Sequence, residues 1–292
     1  MSQSEMEFAE PDFASGYPIE LEDREWLLES SSSAMLLRGA DLPAKVDPRK
    51  SPLANIGWLQ VEDQRSQGSC QGQALTECME FCYPLATGNK VLQFSRQYAY
   101  IRSQMFDNIR GDSGSTLSGG TKAAVEGLPT EKTAPYMGSN YPGWGYITQA
   151  MKDEAKQFQL KSHTSIKSAD DMRAYIGSGI GIVQIGISWN SSMSPDSNGC
   201  IRRWSSGGGG GHSVVFCGYI PDAEVGQESS KGWWGLLKNS WGTRWGKGGY
   251  AYVNPSVIDA MLRHQWTVFI GRSDMGTPEP RNIDWTKESI LV

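Results

Sequence analysis

The chain has 292 residues and a formal net charge of −5, with 38% hydrophobic, 10% aromatic and 20% charged residues. This globular composition excludes extensive disorder, no apolar run is long enough to form a membrane helix, and a mildly acidic chain gives no reason to expect a nucleic acid as partner. The 34 glycines imply many turns and favour a loop-rich mixed fold over a helix bundle.

The N-terminal segment differs in charge from the rest of the chain. Residues 1–30 contain nine acidic residues and one basic residue, so we expect residues 1–39 to be a solvated acidic extension. An alternative is that residues 1–40 cover a cleft and mask it within the same molecule. The main domain is expected over residues 40–272, followed by an irregular, proline-containing tail over 273–292.

In chain order, the pattern predicts helices first and strands later. Apolar residues at helical spacing and glycine or proline stop signals predict four helices, over residues 70–85, 94–106, 120–127 and 170–176. Runs rich in β-branched and aromatic residues predict five strands, over residues 180–189, 213–220, 233–239, 249–253 and 266–270. This order indicates an α+β fold with two lobes, whose functional site would lie in the cleft between them.

Cys70 has the strongest local signal for chemistry, because it follows Gln64 and Gly68 in the segment QRSQGSC and opens the first predicted helix. A thiol at a helix N-terminus meets the positive end of the helix dipole, which favours the nucleophilic thiolate. Gly68 lets a substrate backbone approach closely, and the Gln64 amide can bond an oxyanion beside the Cys70 N–H. A cysteine alone is more often a small buried core residue, so this interpretation requires a base.

His212 is the candidate base among the three histidines. It follows the glycine run 207–211 and begins an apolar strand, whereas His163 and His264 have settings typical of structural or surface residues. A histidine at a strand end, beside a glycine-rich approach, is well placed to exchange protons with a neighbouring thiol.

Asn239 is the candidate for orienting that histidine. It lies in the block KNSWGTRWGKGGY, directly after a predicted strand, and its side chain can fix the imidazole through one ring N–H. Trp241 can shield this hydrogen bond from water, which preserves its strength. The simpler interpretation of this glycine- and tryptophan-rich block is a packed hairpin.

Cysteine, histidine and asparagine in this order resemble the active site of the papain-like cysteine proteases. The most specific match is NSWG-x-x-WG-x-x-GY around the asparagine. Four further segments resemble the family in the same order, namely LPAKVDPR at 42–49, V-x-x-Q-x-x-x-G-S-C at 61–70, EGLPTEKTAPY at 126–136 and GHSVV at 211–215. The resemblance covers about residues 40–270. It implies a papain-like two-lobe fold with a helical N-terminal lobe, an antiparallel β-barrel-like C-terminal lobe and an active-site cleft between them.

The resemblance also implies a cysteine endopeptidase that works through an acyl-enzyme intermediate. Cys70 would be the nucleophile, His212 the acid and base, Asn239 the orienting residue and Gln64 part of the oxyanion hole. The separation of His212 from Cys70 along the chain is usual for this family. Asn239 lies somewhat farther from Cys70 than is usual, and this excess fits an insertion in the polar loop 221–232.

Two residues depart from the family pattern. Gln67 stands where the family usually has a cysteine, so the disulfide that anchors the active-site loop is expected to be absent. Gln71 stands where the family usually has tryptophan, so the packing directly after the nucleophile must differ. The expected absence of this disulfide, the odd number of cysteines and the lack of a secretory signal favour the cytoplasm or another reducing compartment.

The candidate substrate contacts are four glycines and one tryptophan: Gly68, Gly114, Gly210, Gly211 and Trp241. Gly114 is chosen by its place in the family alignment, and Gly210 and Gly211 because they precede the histidine. A pocket without side chains there should be roomy and accept large residues at the second position before the scissile bond. The alternative is that these glycines only serve turns.

Other functions remain open at this point. The same fold carries exopeptidases, amidases and transpeptidases, and a non-catalytic module of a larger assembly is the alternative from a different class. We expect a polypeptide substrate as the partner, and we expect no association with a membrane. No cofactor or metal is expected, because the spacing of Cys78 and Cys82 does not fit a zinc finger and places both on the core face of a helix.

Overall fold

The structure is a computed structural model that describes residues 42–50, 60–87, 92–161, 163, 165–206, 209–264 and 266–271. The predicted acidic extension and the predicted C-terminal tail lie outside the described residues, as does the glycine–asparagine stop signal at 88–89. Within the described part, none of the helices combines the length and the apolar character that crossing a membrane requires.

Seven α-helices are described, and the four predicted ones are confirmed among them. They are α1 Cys70–Thr87, α2 Arg96–Asp107, α3 Leu117–Glu126, α4 Gln149–Ala155, α5 Ala169–Gly177, α6 Asp222–Val225 and α7 Pro255–His264. Serine or threonine side chains accept a backbone N–H at the start of α2, α3, α4 and α5, as N-cap residues do. The three helices that the sequence reading missed are α4, α6 and α7.

Six strands form one sheet, and the five predicted strands are confirmed. The strands are β1 Gly181–Trp189, β2 Cys200–Ile201, β3 Gly210–Pro221, β4 Trp233–Lys238, β5 Tyr250–Val253 and β6 Trp266–Gly271. Their order is β2-β5-β4-β3-β1-β6. Every neighbouring pair is antiparallel except β2 and β5, which are parallel.

Helix α1 joins the helical part to the sheet. It packs against α2 and α3 on one side and against β1 and β3 on the other. Its residues Cys78, Phe81 and Cys82 are buried in the core, where apolar burial is the main stabilising contribution. All five cysteines lie within the described residues, where each is buried and none forms a disulfide. This arrangement brings the start of α1 close to the strand that carries His212.

Candidate active site

Cys70 is the first residue of α1, and its side chain is buried. The segment that leads to it is held by the chain around Asn239, because the Gln64 N–H donates to the Ser240 carbonyl at 2.8 Å. Hydrogen bonding between these two segments, which are distant in the sequence, sets the entry of the chain into α1. The predicted nucleophile therefore lies at a helix N-terminus, where the backbone N–H groups have no partners within the helix.

His212 and Asn239 are in direct contact. His212 Nε2 lies 2.8 Å from Asn239 Oδ1, and the Ser240 N–H donates to the same oxygen at 2.8 Å. Because an amide oxygen only accepts, His212 Nε2 must carry the hydrogen of this bond. The proton of the neutral imidazole is thus held at Nε2, which leaves Nδ1 with a lone pair that can accept a proton.

Two indole rings enclose the His212 imidazole. Trp241 stacks on it with ring centroids 4.5 Å apart and an interplanar angle of 27°, and Trp189 meets it edge-on at 5.0 Å. The enclosed imidazole is 4% exposed. Burial lowers the pKa of His212 to about 4, while the hydrogen bond with Asn239 opposes this shift, because a low-dielectric setting disfavours the charged form.

Gln184 on β1 connects the neighbours of the predicted nucleophile and base. Its Nε2 donates to the Gln71 carbonyl at 3.1 Å and to Ser213 Oγ at 3.0 Å. Gln71 directly follows Cys70, and Ser213 directly follows His212. One buried amide nitrogen therefore fixes the start of α1 against the start of β3. The sequence reading missed Gln184, and its only signal is a polar residue inside an apolar strand.

The side-chain amide of Gln64 is held at both ends by hydrogen bonds. Its Oε1 accepts from Ser240 Oγ at 2.7 Å, and its Nε2 donates to the Gln67 carbonyl at 2.9 Å. The amide nitrogen has two hydrogens, and among the described residues only this one bond uses them. The second N–H of Gln64 Nε2 is therefore not used by a hydrogen bond within the described residues.

The two predicted substrate glycines of the helical part are engaged within the protein. The Gly68 N–H donates to Asp112 Oδ1 at 2.8 Å, and Asp112 Oδ1 also accepts from the Tyr100 hydroxyl at 2.7 Å. The Gly114 N–H donates to Tyr100 Oη at 3.0 Å, and its carbonyl accepts from Gln104 Nε2 at 3.0 Å. A substrate contact through the Gly114 N–H thus requires its bond to Tyr100 to be exchanged, whereas the Gly114 carbonyl has a second lone pair and can accept another bond.

The Asp112 carboxylate and the Tyr100 hydroxyl tie the loop before α3 to the segment before Cys70. An added Cβ at Gly68 would lie 3.1 Å from the Gly114 nitrogen, so a side chain there would press against the Gly114 backbone and require a small shift. These hydrogen bonds hold the segment before Cys70 in place, although none of the five cysteines forms a disulfide. Asp112 and Tyr100 were not singled out from the sequence, because nothing local marks them as partners.

The glycines before His212 make room for Trp189. Gly210 lies directly opposite Trp189 in the β1–β3 ladder, and His212 is two residues further along β3. Diagonal neighbours on one face of a sheet are within reach of an aromatic side chain, and a glycine at position 210 leaves the indole free to extend to His212. At Gly209, where φ is +80°, a Cβ would lie 1.7 Å from the Trp189 carbonyl oxygen. Gly211 pairs with Ser188 and is half-buried.

The two residues that depart from the family pattern are both buried and hydrogen-bonded, although the Gln71 Nε2 has no hydrogen-bond partner among the described residues. Gln67 is buried, and its amide nitrogen donates to Gln97 Oε1 at 3.1 Å and to the Gly138 carbonyl. Gln71 is fully buried, and its Oε1 accepts from Ser103 Oγ and Ser115 Oγ, both at 3.1 Å. A Cβ at Gly120 would lie 1.5 Å from Gln71 Nε2, so only a glycine leaves space for this amide against α3.

The chain is similar to known cysteine proteases along most of its length. The profile of the papain family cysteine proteases matches residues 42–265. The probable cysteine protease RDL6 of Arabidopsis thaliana is 24% identical over 232 residues, which make up 77% of this chain and 59% of that protein. The chain spans about half to three fifths of the length of the curated relatives it matches.

Solved structures show the same fold. Xylellain, a cysteine protease from Xylella fastidiosa, aligns with a TM-score of 0.67 at 20% identity and covers 88% of this chain and 95% of its own. Digestive procathepsin L 3 of Tenebrio molitor larval midgut aligns with a TM-score of 0.65 at 17% identity, over 88% of this chain and 76% of its own. These likenesses establish the arrangement of a helical and a sheet-containing lobe.

Proposed function

Because the chain belongs to the papain family of cysteine proteases, we propose that it is a cysteine peptidase with Cys70, His212 and Asn239 as its catalytic triad. The observation that carries the proposal is the 2.8 Å contact between His212 Nε2 and Asn239 Oδ1, inside an enclosure of two indoles. The bridge from Gln184 to both neighbouring segments supports the assignment of Cys70 as the group that the imidazole serves.

In the proposed reaction, His212 Nδ1 takes the proton of the Cys70 thiol, and the thiolate sulfur attacks the carbonyl carbon of a peptide bond. The imidazolium then protonates the leaving amine as the carbon–nitrogen bond breaks, which leaves an acyl group on the sulfur. In the second half, Nδ1 removes a proton from water, the resulting hydroxide attacks the thioester, and the thiolate departs. Asn239 holds the ring through Nε2 during both halves.

The developing oxyanion needs donors that are already in place. The Cys70 N–H at the start of α1 and the remaining N–H of Gln64 Nε2 are the proposed pair. The contacts of Gln64 with Ser240 and Gln67 support this role, because they prevent the amide from turning its oxygen towards the oxyanion. We propose internal peptide bonds of polypeptides as the substrates, with an exopeptidase, an amidase or a transpeptidase as the alternatives.

Covalent labelling tests the proposal. We expect an epoxysuccinyl peptide to add one inhibitor mass to the native protein and none to Cys70→Ala. The matched control is Cys200→Ala, which removes another buried thiol and should label like the native protein. Labelling should accompany turnover of a peptide library between pH 4 and 9, with products cut inside the peptides. Protein that neither labels nor cleaves, with or without residues 1–38, would favour a non-catalytic module.

We also propose that the acidic N-terminal extension masks the site of the same molecule. Residues 1–30 carry a charge of −8, so the remainder of the chain carries +3 to reach the total of −5, and opposite charges favour an intramolecular contact. Similarity to a procathepsin supports the idea of a covering segment.

Removing the extension tests this idea. Deletion of residues 1–38 is expected to raise kcat/KM, and a synthetic peptide of residues 1–40 added in trans should lower it again, more strongly at low salt. A scrambled peptide of the same composition is the control for a purely electrostatic effect. Unchanged activity after deletion would reject masking, whereas the scrambled peptide acting equally well would reject a specific contact.

A further inference from the structure

A small cavity lies behind the predicted histidine–asparagine pair. It lies between the first turns of α1, the start of β3 and the end of β4, and the space open to the centre of a water molecule measures about 10 Å³. Its polar lining includes Gln73, Glu77, Lys238 and Asn239. A cavity needs roughly 10–15 Å³ of such space to hold one water molecule, so its size matches a single water and nothing larger.

Two buried amide groups at this cavity each have an atom without a hydrogen-bond partner among the described residues. These atoms are the donor Asn239 Nδ2 and the acceptor Gln73 Oε1. Both residues are 2% exposed. Leaving a buried donor or acceptor without a partner destabilises the folded protein, so such groups in native proteins are normally bonded to protein or to ordered water.

Neighbouring contacts occupy the other end of each amide. Asn239 Oδ1 is held by His212 Nε2 and by the Ser240 N–H, both at 2.8 Å, so the amide cannot turn without losing both bonds. Gln73 Nε2 donates to Ser69 Oγ at 3.4 Å. The oxygen of Gln73 and the nitrogen of Asn239 are thus the ends of the two amides that remain for a ligand.

The charges around the cavity favour a neutral ligand. Glu77 is paired with Lys238, and Glu62 is paired with Arg96. A cation would lie beside the Lys238 ammonium, and an anion would lie beside two carboxylates. Water both accepts and donates, so it can satisfy an amide N–H and an amide oxygen at once.

We propose that an ordered water molecule occupies this cavity, accepts from Asn239 Nδ2 and donates to Gln73 Oε1, which makes Gln73 a positioning residue for the Asn239–His212 pair. The catalytic part of this proposal rests on the proposed function, whereas the water site does not. The water ties Asn239 to the first turn of α1, three residues beyond Cys70. Because the water bonds Asn239 Nδ2 while His212 bonds Oδ1, it restricts rotation of the amide. It thereby also restricts rotation of the His212 imidazole.

Crystallography at high resolution tests the water site without requiring turnover. In the wild type and in Cys70→Ala, we expect one density peak within hydrogen-bond distance of both Asn239 Nδ2 and Gln73 Oε1. In Gln73→Met, which has similar size but no acceptor, this peak should be absent. An empty cavity in the wild type, or a direct contact between the two amides, would overturn the proposal. An inactive protein that retains the peak would count against the proposed function alone.

Kinetics test the positioning role. Gln73→Met is expected to lower kcat about 3- to 10-fold, the equivalent of one ordinary hydrogen bond, with KM nearly unchanged and the acid limb of the pH profile displaced. Val214→Ala is the matched control, because Val214 lines the same cavity and its truncation removes packing but no hydrogen bond. Equal losses in the two variants, or an unmoved pH profile in Gln73→Met, would overturn a positioning role.

Discussion

Replacement of His212 by alanine is expected to lower kcat/KM at least about 10³-fold. The variant loses the proposed base for the thiol and the proposed acid for the leaving amine, and general acid–base catalysis alone contributes roughly 10²–10⁴-fold. Steady-state hydrolysis of a fluorogenic peptide measures the loss. The matched control is His163→Gln, since His163 is also buried but lies outside the proposed triad. A His212→Ala protein that retains a tenth of the wild-type rate would remove the histidine from the mechanism.

The pH dependence of the same residue follows from its enclosure. Burial lowers the pKa of His212 from 6.5 to about 4. As the pH falls from 6.5 to 4, His212 becomes protonated in the unfolded chain but stays neutral in the folded protein. This difference lowers the free energy of unfolding through that pH range. In Cys70→Ala, an NMR titration should place the imidazole near pH 4. In the wild type, a Cys70 thiolate facing Nδ1 should raise the pKa of His212. Equal pKa values of His212 in the two proteins would contradict an ion pair between the Cys70 thiolate and the His212 imidazolium.

Replacement of Lys238 by methionine is expected to lower the free energy of unfolding by about 3–5 kcal/mol at pH 7. Lys238 and Glu77 form a buried ion pair that joins β4 to α1. Methionine nearly preserves the volume of lysine but leaves the Glu77 carboxylate buried without its counter-charge. Urea denaturation of both proteins measures the difference, and a loss below about 1 kcal/mol would show that the carboxylate reaches solvent.

A double variant and a pH series separate lost charge pairing from lost packing. Glu77→Leu combined with Lys238→Met removes both charges and should recover most of the stability. Burial raises the pKa of Glu77, and Lys238 opposes that rise, so without the lysine the pKa should rise further. The deficit of Lys238→Met should therefore shrink as the pH falls and Glu77 becomes neutral. A deficit that does not change with pH would point to packing alone.

Much of the fold could be predicted from local pattern, and the errors have identifiable causes. Helix α1 has apolar residues at helical spacing, and the runs in β1, β3 and β4 are long and apolar, so each was found. Strand β2 has only two residues and exists because it pairs with β5. Helix α4 has seven residues, and its threonine cap, Thr148, was the signal that the reading overlooked.

The glycine pattern of the sequence did not predict which side chains pack over those glycines. The glycine run before His212 predicted a roomy pocket, and the structure shows that the face over Gly210 is where Trp189 reaches the imidazole. The tolerance of large substrate residues stays a prediction. The sequence indicates that a side chain is missing at position 210, but only strand register identifies the residue that uses the space.

The sequence by itself determined the identity and order of the candidate reactive residues, the helix start at Cys70 and the strand at His212. These follow from periodicity and local chemistry within short stretches of chain. Only the tertiary structure decided that Ser240 fixes the Asn239 amide, that one nitrogen of Gln184 holds two segments, and that Asp112 clamps Gly68. Each of these hydrogen bonds requires a distance of about 3 Å and a definite direction. Except for the adjacent Ser240–Asn239 contact, they join residues that are far apart in the sequence, and packing of α1 on the sheet creates that geometry.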